Sequence, residues 1–376
     1  MRPIRFVAGL SAVLALAPAV LADPLVCTSG ELFAGAPDYS DPTERAADGQ
    51  GLRDVPPLGF RTLAFAGDRL VTTVGPELWY ADLAAASPVL KRFAGRESSK
   101  RETKPGKCAQ ARFGNVSGLA VLPDGSLAGA DQMANLVFVV TDPFGPDCSV
   151  AFIVGATEPQ PSLNPGSPPS VGDADGPGAD VLLRGPDWVT ALDDGVIYFI
   201  DTGNAKLKRV LTDPERTVET VAALPEGAYY ALITLGGKLY AVANNDIGEG
   251  FLLEIDPATG EMREILRGRS DVWLSQGSIN VSGLATDGAG LITSQSGQVL
   301  YVTLEGDVTS IAGSGKYTDL EPGYDPLQSH AAAELQLWSR RRTMIAGANV
   351  FLGYRDGKIY YVALGETAYV VRIDCP

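Results

Sequence analysis

The chain has 376 residues, 43 of them glycine and 26 proline, and carries a formal charge of −15. Spread over the surface, that charge repels a phosphate backbone and an anionic membrane, so nucleic acid is excluded as a partner. The glycine and proline content demands many tight turns and suits a sheet-rich fold.

The first element is Met1 to Ala22, where Arg2 and Arg5 precede an apolar run from Phe6 to Leu21 and the small Ala22 closes it. This is the pattern of a cleavable signal peptide, with cleavage expected before Asp23. The run is short for a bilayer span and contains Pro18, and no later segment is apolar enough to cross. Pro24-Leu25-Val26 lacks the small residue that precedes a lipidated cysteine at Cys27. The expectation is therefore a secreted or periplasmic protein without a membrane span, a monomer, with residues 23–376 forming one domain. Four cysteines, Cys27, Cys108, Cys148 and Cys375, are an even number for an oxidising compartment and imply two disulfides. They are too far apart for a zinc site, and the sequence has one histidine, His330.

From residue 59 onward the chain repeats. Asn-Val-Ser-Gly-Leu-Ala stands at Asn115 to Ala120 and again at Asn280 to Ala285, each time followed by an acidic-Gly turn and an apolar strand. Arg61-Thr62-Leu63 and Arg342-Thr343-Met344 open two more units that run alike to Leu78-Trp79-Tyr80 and Ile359-Tyr360-Tyr361. The clearest copy runs from Trp188 to Val221, with Asp193-Asp194-Gly195 and Asp201-Thr202-Gly203-Asn204 as turns between β-branched runs. Such punctuation is what four-stranded antiparallel meanders require. The fold expected is all-β, a six-bladed β-propeller with blades near 59–95, 113–155, 185–224, 228–267, 280–314 and 338–376. Several copies end in Ala-Gly, as at Phe93-Ala94-Gly95 and Ile311-Ala312-Gly313. Phe33-Ala34-Gly35 has the same form, so the N-terminal strand is expected to close the ring against the last blade.

These residues resemble the NHL-repeat propellers and, more distantly, the gluconolactonase-like six-bladed relatives. The third blade carries the likeness best, with Asp173-Ala174-Asp175-Gly176-Pro177-Gly178-Ala179 ahead of Leu182 and Pro186, then Tyr198-Phe199-Ile200-Asp201-Thr202-Gly203-Asn204 and Leu207. The second blade is similar through Ala111-Arg112-Phe113, Gly118-Leu119-Ala120-Val121, Pro123-Asp124-Gly125 and Asp131, although its Asn135 comes one residue late.

In a propeller, the loops entering each inner strand and those joining the second and third strands surround one mouth of the central channel. The entering loops hold Asn115, Ser117, Asp187, Trp188, Tyr229, Tyr230 and Asn280, and the other set holds Asp131, Asp201, Asn204, Asn244, Asn245 and Asp246. Oxygen-rich side chains interleaved with aromatics would suit a protein, peptide or carbohydrate ligand. Asp201, Asn245 and Asp246 would suit a hard cation such as Ca²⁺. Asp201 and Asn204 have a competing role, holding backbone groups of their own turn. Asp187 with Trp188 is the strongest ligand pair, since aspartate has poor strand propensity and an indole offers a stacking face. Asp173-Ala174-Asp175-Gly176 begins like a calcium loop but has Arg184 where its last glutamate should stand, which favours a linker turn.

Catalytic signatures are missing. The one histidine lies in a linker, and neither a nucleophile elbow nor a phosphate loop occurs. The reading is an exported binding module; the alternative implied by the gluconolactonase likeness is a calcium-dependent lactonase or esterase. For the cysteines, a ring closed by its own ends pairs Cys27 with Cys375 and leaves Cys108 with Cys148 within one blade, each pair with Cα atoms about 4.4–6.8 Å apart.

Overall fold

A computed structural model describes residues 25–35, 46–55, 60–96, 102–155, 171–245, 249–267, 281–295, 297–315, 328–337, 350–363 and 369–376. Met1 to Ala22, expected to be a signal peptide, lie outside this set, as do Asp246 and Asn280. The described residues form six antiparallel sheets, with five single-turn 3-10 helices as their only helical elements.

Blade one runs Phe60–Ala66, Arg69–Val74, Glu77–Asp82 and Val89–Ala94, from inner to outer strand. Blade two follows with Val116–Val121, Leu127–Asp131, Leu136–Thr141 and Ser149–Gly155, and blade three with Pro186–Ala191, Ile197–Asp201, Lys206–Val210 and Val218–Ala223. Blade four is Ala228–Leu235, Lys238–Asn244, Gly250–Ile255 and Met262–Arg267; blade five is Val281–Thr286, Leu291–Gln295, Gln298–Val302 and Val308–Ala312. Blade six takes Val350–Arg355, Lys358–Ala363 and Tyr369–Asp374 from the C-terminal end and its outer strand, Ser29–Ala34, from the N-terminal end. Both faces of each sheet are buried, and six apolar clusters fill the six seams. One expectation is corrected here. By ladder register, Val350 is the counterpart of Phe60 beside Arg61, a place the repeat gives to Arg342, because the Asp356-Gly357 turn, at φ 49° and 70°, fixes the hairpin Arg355↔Lys358.

The linkers before blades one, two, three and six share a device. Gln50–Gly51, Gly106–Lys107, Gly176 and His330–Ala331 each pair outside the outer strand of the blade that follows. A 3-10 turn comes next, and in three cases its first carbonyl, on Leu52, Cys108 or Ala332, accepts the N–H of Gly35, Gly95 or Gly313 at the end of the preceding blade. The linker therefore belongs to two blades at once. This explains the recurring Ala-Gly: the three glycines have φ of 95°, 80° and 89°, a region costly for any side chain. A Cβ on Gly95 would stand 2.6 Å from the Pro76 carbonyl oxygen. Gly95→Ala should lower stability by at least about 1 kcal/mol, and urea midpoints of the two proteins check it.

The two disulfides are Cys27–Cys375 and Cys108–Cys148. Their Cα separations are 3.9 and 5.5 Å, the first below the expected range and the second within it.

Candidate functional site

The inner strands of all six blades surround a cavity of about 430 Å³, the central channel. Ladder register settles which loops share its mouth. Val116 pairs with Asp131, Pro186 with Asp201 and Ala228 with Asn244, so the start of each inner strand lies beside the end of each second strand, at one end of the ring.

At this mouth the inner strands of blades one to five slip register. Ser117, Trp188 with Val189, Tyr230 and Gly283 fall out of the ladders of blades two to five. Such bulges re-aim side chains, and Ser117, Trp188 and Tyr230 line the channel. Trp188 occupies the register position of Gly283 and shares its left-handed backbone, with φ 48° against 71°. For a bulky residue this conformation is a true outlier that costs about 1–3 kcal/mol. The indole is half-buried and packs against the apolar clusters of three seams, six–one, three–four and four–five, so it reaches across the channel. Its Nε1–H donates to the Tyr229 carbonyl at 2.8 Å.

A polar string joins blades two and three at the rim. Asn115 Nδ2 donates to Gln132 Oε1 at 3.4 Å, Gln132 Nε2 to Asp187 Oδ2 at 3.4 Å, and the Trp188 N–H to Asp187 Oδ1 at 2.9 Å. Ser117 Oγ–H donates to the Pro186 carbonyl at 3.2 Å. Asn115, Ser117, Asp187 and Trp188 are thereby one contiguous patch, continued by Tyr230. Gln132 belongs to it without having been anticipated, since nothing in the repeat marks the residue after Asp131.

The remaining predicted residues do other work. The Tyr229 ring is buried in the seam between blades three and four, edge-on to Phe251 at 6.0 Å, and its hydroxyl donates to the Pro225 carbonyl. Burial raises its pKa. Asp131, fully buried, accepts from the N–H groups of Gly114, Asn115 and Ala134, holding the entering loop of its own blade; burial nonetheless raises its pKa. Asp201 does the equivalent for blade three through the Arg184 N–H at 2.7 Å and the Asn204 side-chain amide at 2.7 Å, and burial raises its pKa too. Asn244 is buried in blade four, and Asn245 clasps Glu249 across the neighbouring loop. Asp201, at the end of a blade-three strand, and Asn245, just past a blade-four strand, thus belong to different blades.

Asp201 also faces a cation that belongs to the chain. Lys208, with a side chain 0% exposed, puts its ammonium 2.9 Å from Asp175, 3.2 Å from Asp173 and 3.6 Å from Asp201. Burial disfavours that ammonium, but the three carboxylates outweigh it and raise its pKa. The Asp173-Ala174-Asp175-Gly176 segment is therefore a linker clamp: Asp175 also accepts the Thr220 N–H at 2.7 Å, and Gly176 pairs with Val218. Among the described residues, no group of three or more His, Cys, Asp or Glu is arranged to hold a metal ion.

No family model matches the chain, and no curated protein matches it. Solved structures do. An auxiliary nutrient binding protein from Bacteroides ovatus is 13% identical with a TM-score of 0.57, over 93% of this chain and 76% of that one. A protein of unknown function from Bacteroides thetaiotaomicron is 12% identical with a TM-score of 0.56, over 92% and 76%. A putative phosphatase from Bacteroides thetaiotaomicron is 12% identical with a TM-score of 0.52, over 92% and 78%. At this identity the likeness establishes the fold, an all-β six-bladed propeller.

Proposed function

We propose that this chain is an exported binding module whose ligand, a peptide or carbohydrate, seats at the channel mouth on Trp188 and Tyr230, with Asn115, Gln132 and Asp187 as its polar rim. The observation that carries the reading is Trp188, which keeps a large aromatic in a left-handed backbone that glycine fills at the matching position of blade five. Backbone strain of this kind persists where the surroundings over-determine it, and it clusters at ligand sites. Export is supported by the signal-like Met1 to Ala22 and by two disulfides, which persist in oxidising compartments. Among the described residues, no helix is long and apolar enough to cross a membrane. The mature chain from Asp23 is then one propeller domain.

Thermal-shift screening against mono- and oligosaccharides and short peptides tests this. One class should raise the melting temperature of the wild type, and Trp188→Ala should remove the rise. Trp188→Phe serves where alanine lowers stability too far, and should weaken binding without abolishing it. A ligand whose shift survives both changes would overturn the site. The calcium-dependent hydrolase reading makes the contrary forecast that Ca²⁺ alone stabilises the wild type through Asp201 and Asn245.

A further inference from the structure

A larger cavity, about 620 Å³, lies between blades six and one at the end of the ring away from the channel mouth. Its walls include Phe33, Lys358, Tyr360 and Arg372 of blade six and the loop Leu83-Ala84-Ala85-Ala86-Ser87-Pro88 of blade one. The neighbouring seam, between blades one and two, explains what this space lacks. Ladder register makes Lys358 the counterpart of Arg69 and Arg372 that of Tyr80, while Phe33 and Phe93 each precede the Ala-Gly that ends an outer strand.

In the seam between blades one and two the corresponding space is filled from within the chain. Phe144, on the loop between the third and outer strands of blade two, packs 4.9 Å from Tyr80 and 5.2 Å from Phe93, with the Arg69 guanidinium 4.6 Å from its ring centre. Counted from the end of the third strand, Phe144 is the third loop residue, and the third residue of the blade-one loop is Ala85. The six–one seam therefore keeps one aromatic of that wall, Phe33, and the cation, Lys358, with Arg372 in place of Tyr80, but has a methyl group where its neighbour has a phenyl ring.

We infer that the six–one seam binds a small aromatic carboxylate, its ring seated as Phe144 is seated next door and its carboxylate on Lys358. The ring would meet Phe33, which already stands edge-on to Tyr360 at 5.2 Å. The charge follows from the pairing of the lining cations. Arg372 and Arg53 pair with Glu31 at 2.6 and 3.4 Å, and Arg355 pairs with Asp68 at 2.6 Å. Lys358 has no carboxylate within ion-pair distance among the described residues. A cation beside a ring face, with a free ammonium for the acid group, is a combined cation–π and charge-assisted site.

Titration calorimetry and thermal shift with benzoate, phenylacetate and cyclohexanecarboxylate test this on the intact chain. Benzoate or phenylacetate should bind the wild type and cyclohexanecarboxylate should bind at least about tenfold more weakly. Ala85→Phe, which supplies the missing ring internally, should abolish binding while raising the melting temperature. Lys358→Met should weaken binding about tenfold without touching the fold, and it keeps the test decisive if Ala85→Phe misfolds. Trp188→Ala, at the other end of the ring, should leave benzoate affinity unchanged, so this site and the channel site fail separately. Absence of binding to the wild type at millimolar aromatic acid, or binding indifferent to Lys358→Met and Ala85→Phe, would overturn the inference.

Discussion

Replacing Cys27 and Cys375 together by alanine should cost up to about 5–6 kcal/mol of unfolding free energy on the loop-closure scale, more than the loss of Cys108–Cys148. The bond spans 348 residues of sequence, against 40 for Cys108–Cys148. Loop-closure entropy grows with that length, and the shorter bond is worth about 4 kcal/mol on the same scale. The longer bond also holds Ser29–Ala34 in place as the outer strand of blade six, where it is otherwise fixed by its ladder and by the Glu31–Arg372 pair. Urea midpoints of the two double variants provide the measure, taken by more than one probe because blades need not melt together. A Cys108/Cys148 variant that loses more stability than the Cys27/Cys375 variant would sink the closure argument.

Lys208→Met should cost about 3 kcal/mol at neutral pH. Removing one partner from a buried charge cluster strands the others; the figure sits at the low end because Asp173 and Asp175 are 39% exposed and partly screened by solvent. The pH dependence should invert as well. In the wild type the Lys206 ammonium, and then Lys208, hold Asp173 below the usual carboxylate range. Burial raises Asp175, but Lys208 and Thr220 outweigh it and leave that carboxyl low too. Groups depressed on folding contribute stability above the unfolded carboxylate pKa, and it is lost as pH falls through their folded values. Without Lys208, burial at Asp175 is opposed by Thr220 alone and Asp201, already raised by burial, rises further, so the part these two contribute through that rise is present in acid and lost as pH climbs. The penalty of the substitution should therefore shrink between pH 7 and pH 4. A penalty that stays constant over that span would show that Lys208 acts through packing alone.

The architecture was legible because its signals are local and repeated. Turn spacing marks the four strands of each blade, and Ala-Gly marks the positive-φ glycine at which a linker meets the blade behind it, which is how an N-terminal strand could be assigned to the last blade. The unit beginning at Arg342 shows the limit of this reading: the residues Arg-Thr matched Arg61-Thr62, yet a hairpin turn fixes register more firmly than a dipeptide. At the mouth, the loop face followed from topology, but the division between ligand-facing and structural residues did not. Tyr229 and Tyr230 are adjacent in sequence, and a one-residue bulge sends the first into a seam and the second to the channel. Lys208 was invisible for a different reason. A lysine on a third strand reads as solvent-facing, and its three carboxylates come from Asp173, Asp175 and Asp201, which no single turn brings together. The empty seam beside Ala85 could not be read at all, because the signal is the absence of a ring that only its neighbour's geometry defines.

The two-ended construction of blade six bears on how the chain is made. Its outer strand, Ser29–Ala34, is made 335 residues before the blade-six strand it pairs with, which begins at Tyr369. At about 5–20 residues per second that interval is about 15–70 s. Until His330–Ala331 is made, the N-terminal strand has no partner strand and presents both edges for mispairing, a hazard for any nascent β-chain. Blades one to five can be complete by then, so closing blade six joins strands made far apart in time. A chain stopped short of Tyr369 would keep five blades and an open ring. Truncation from the C-terminus should therefore produce aggregation out of proportion to the few residues removed.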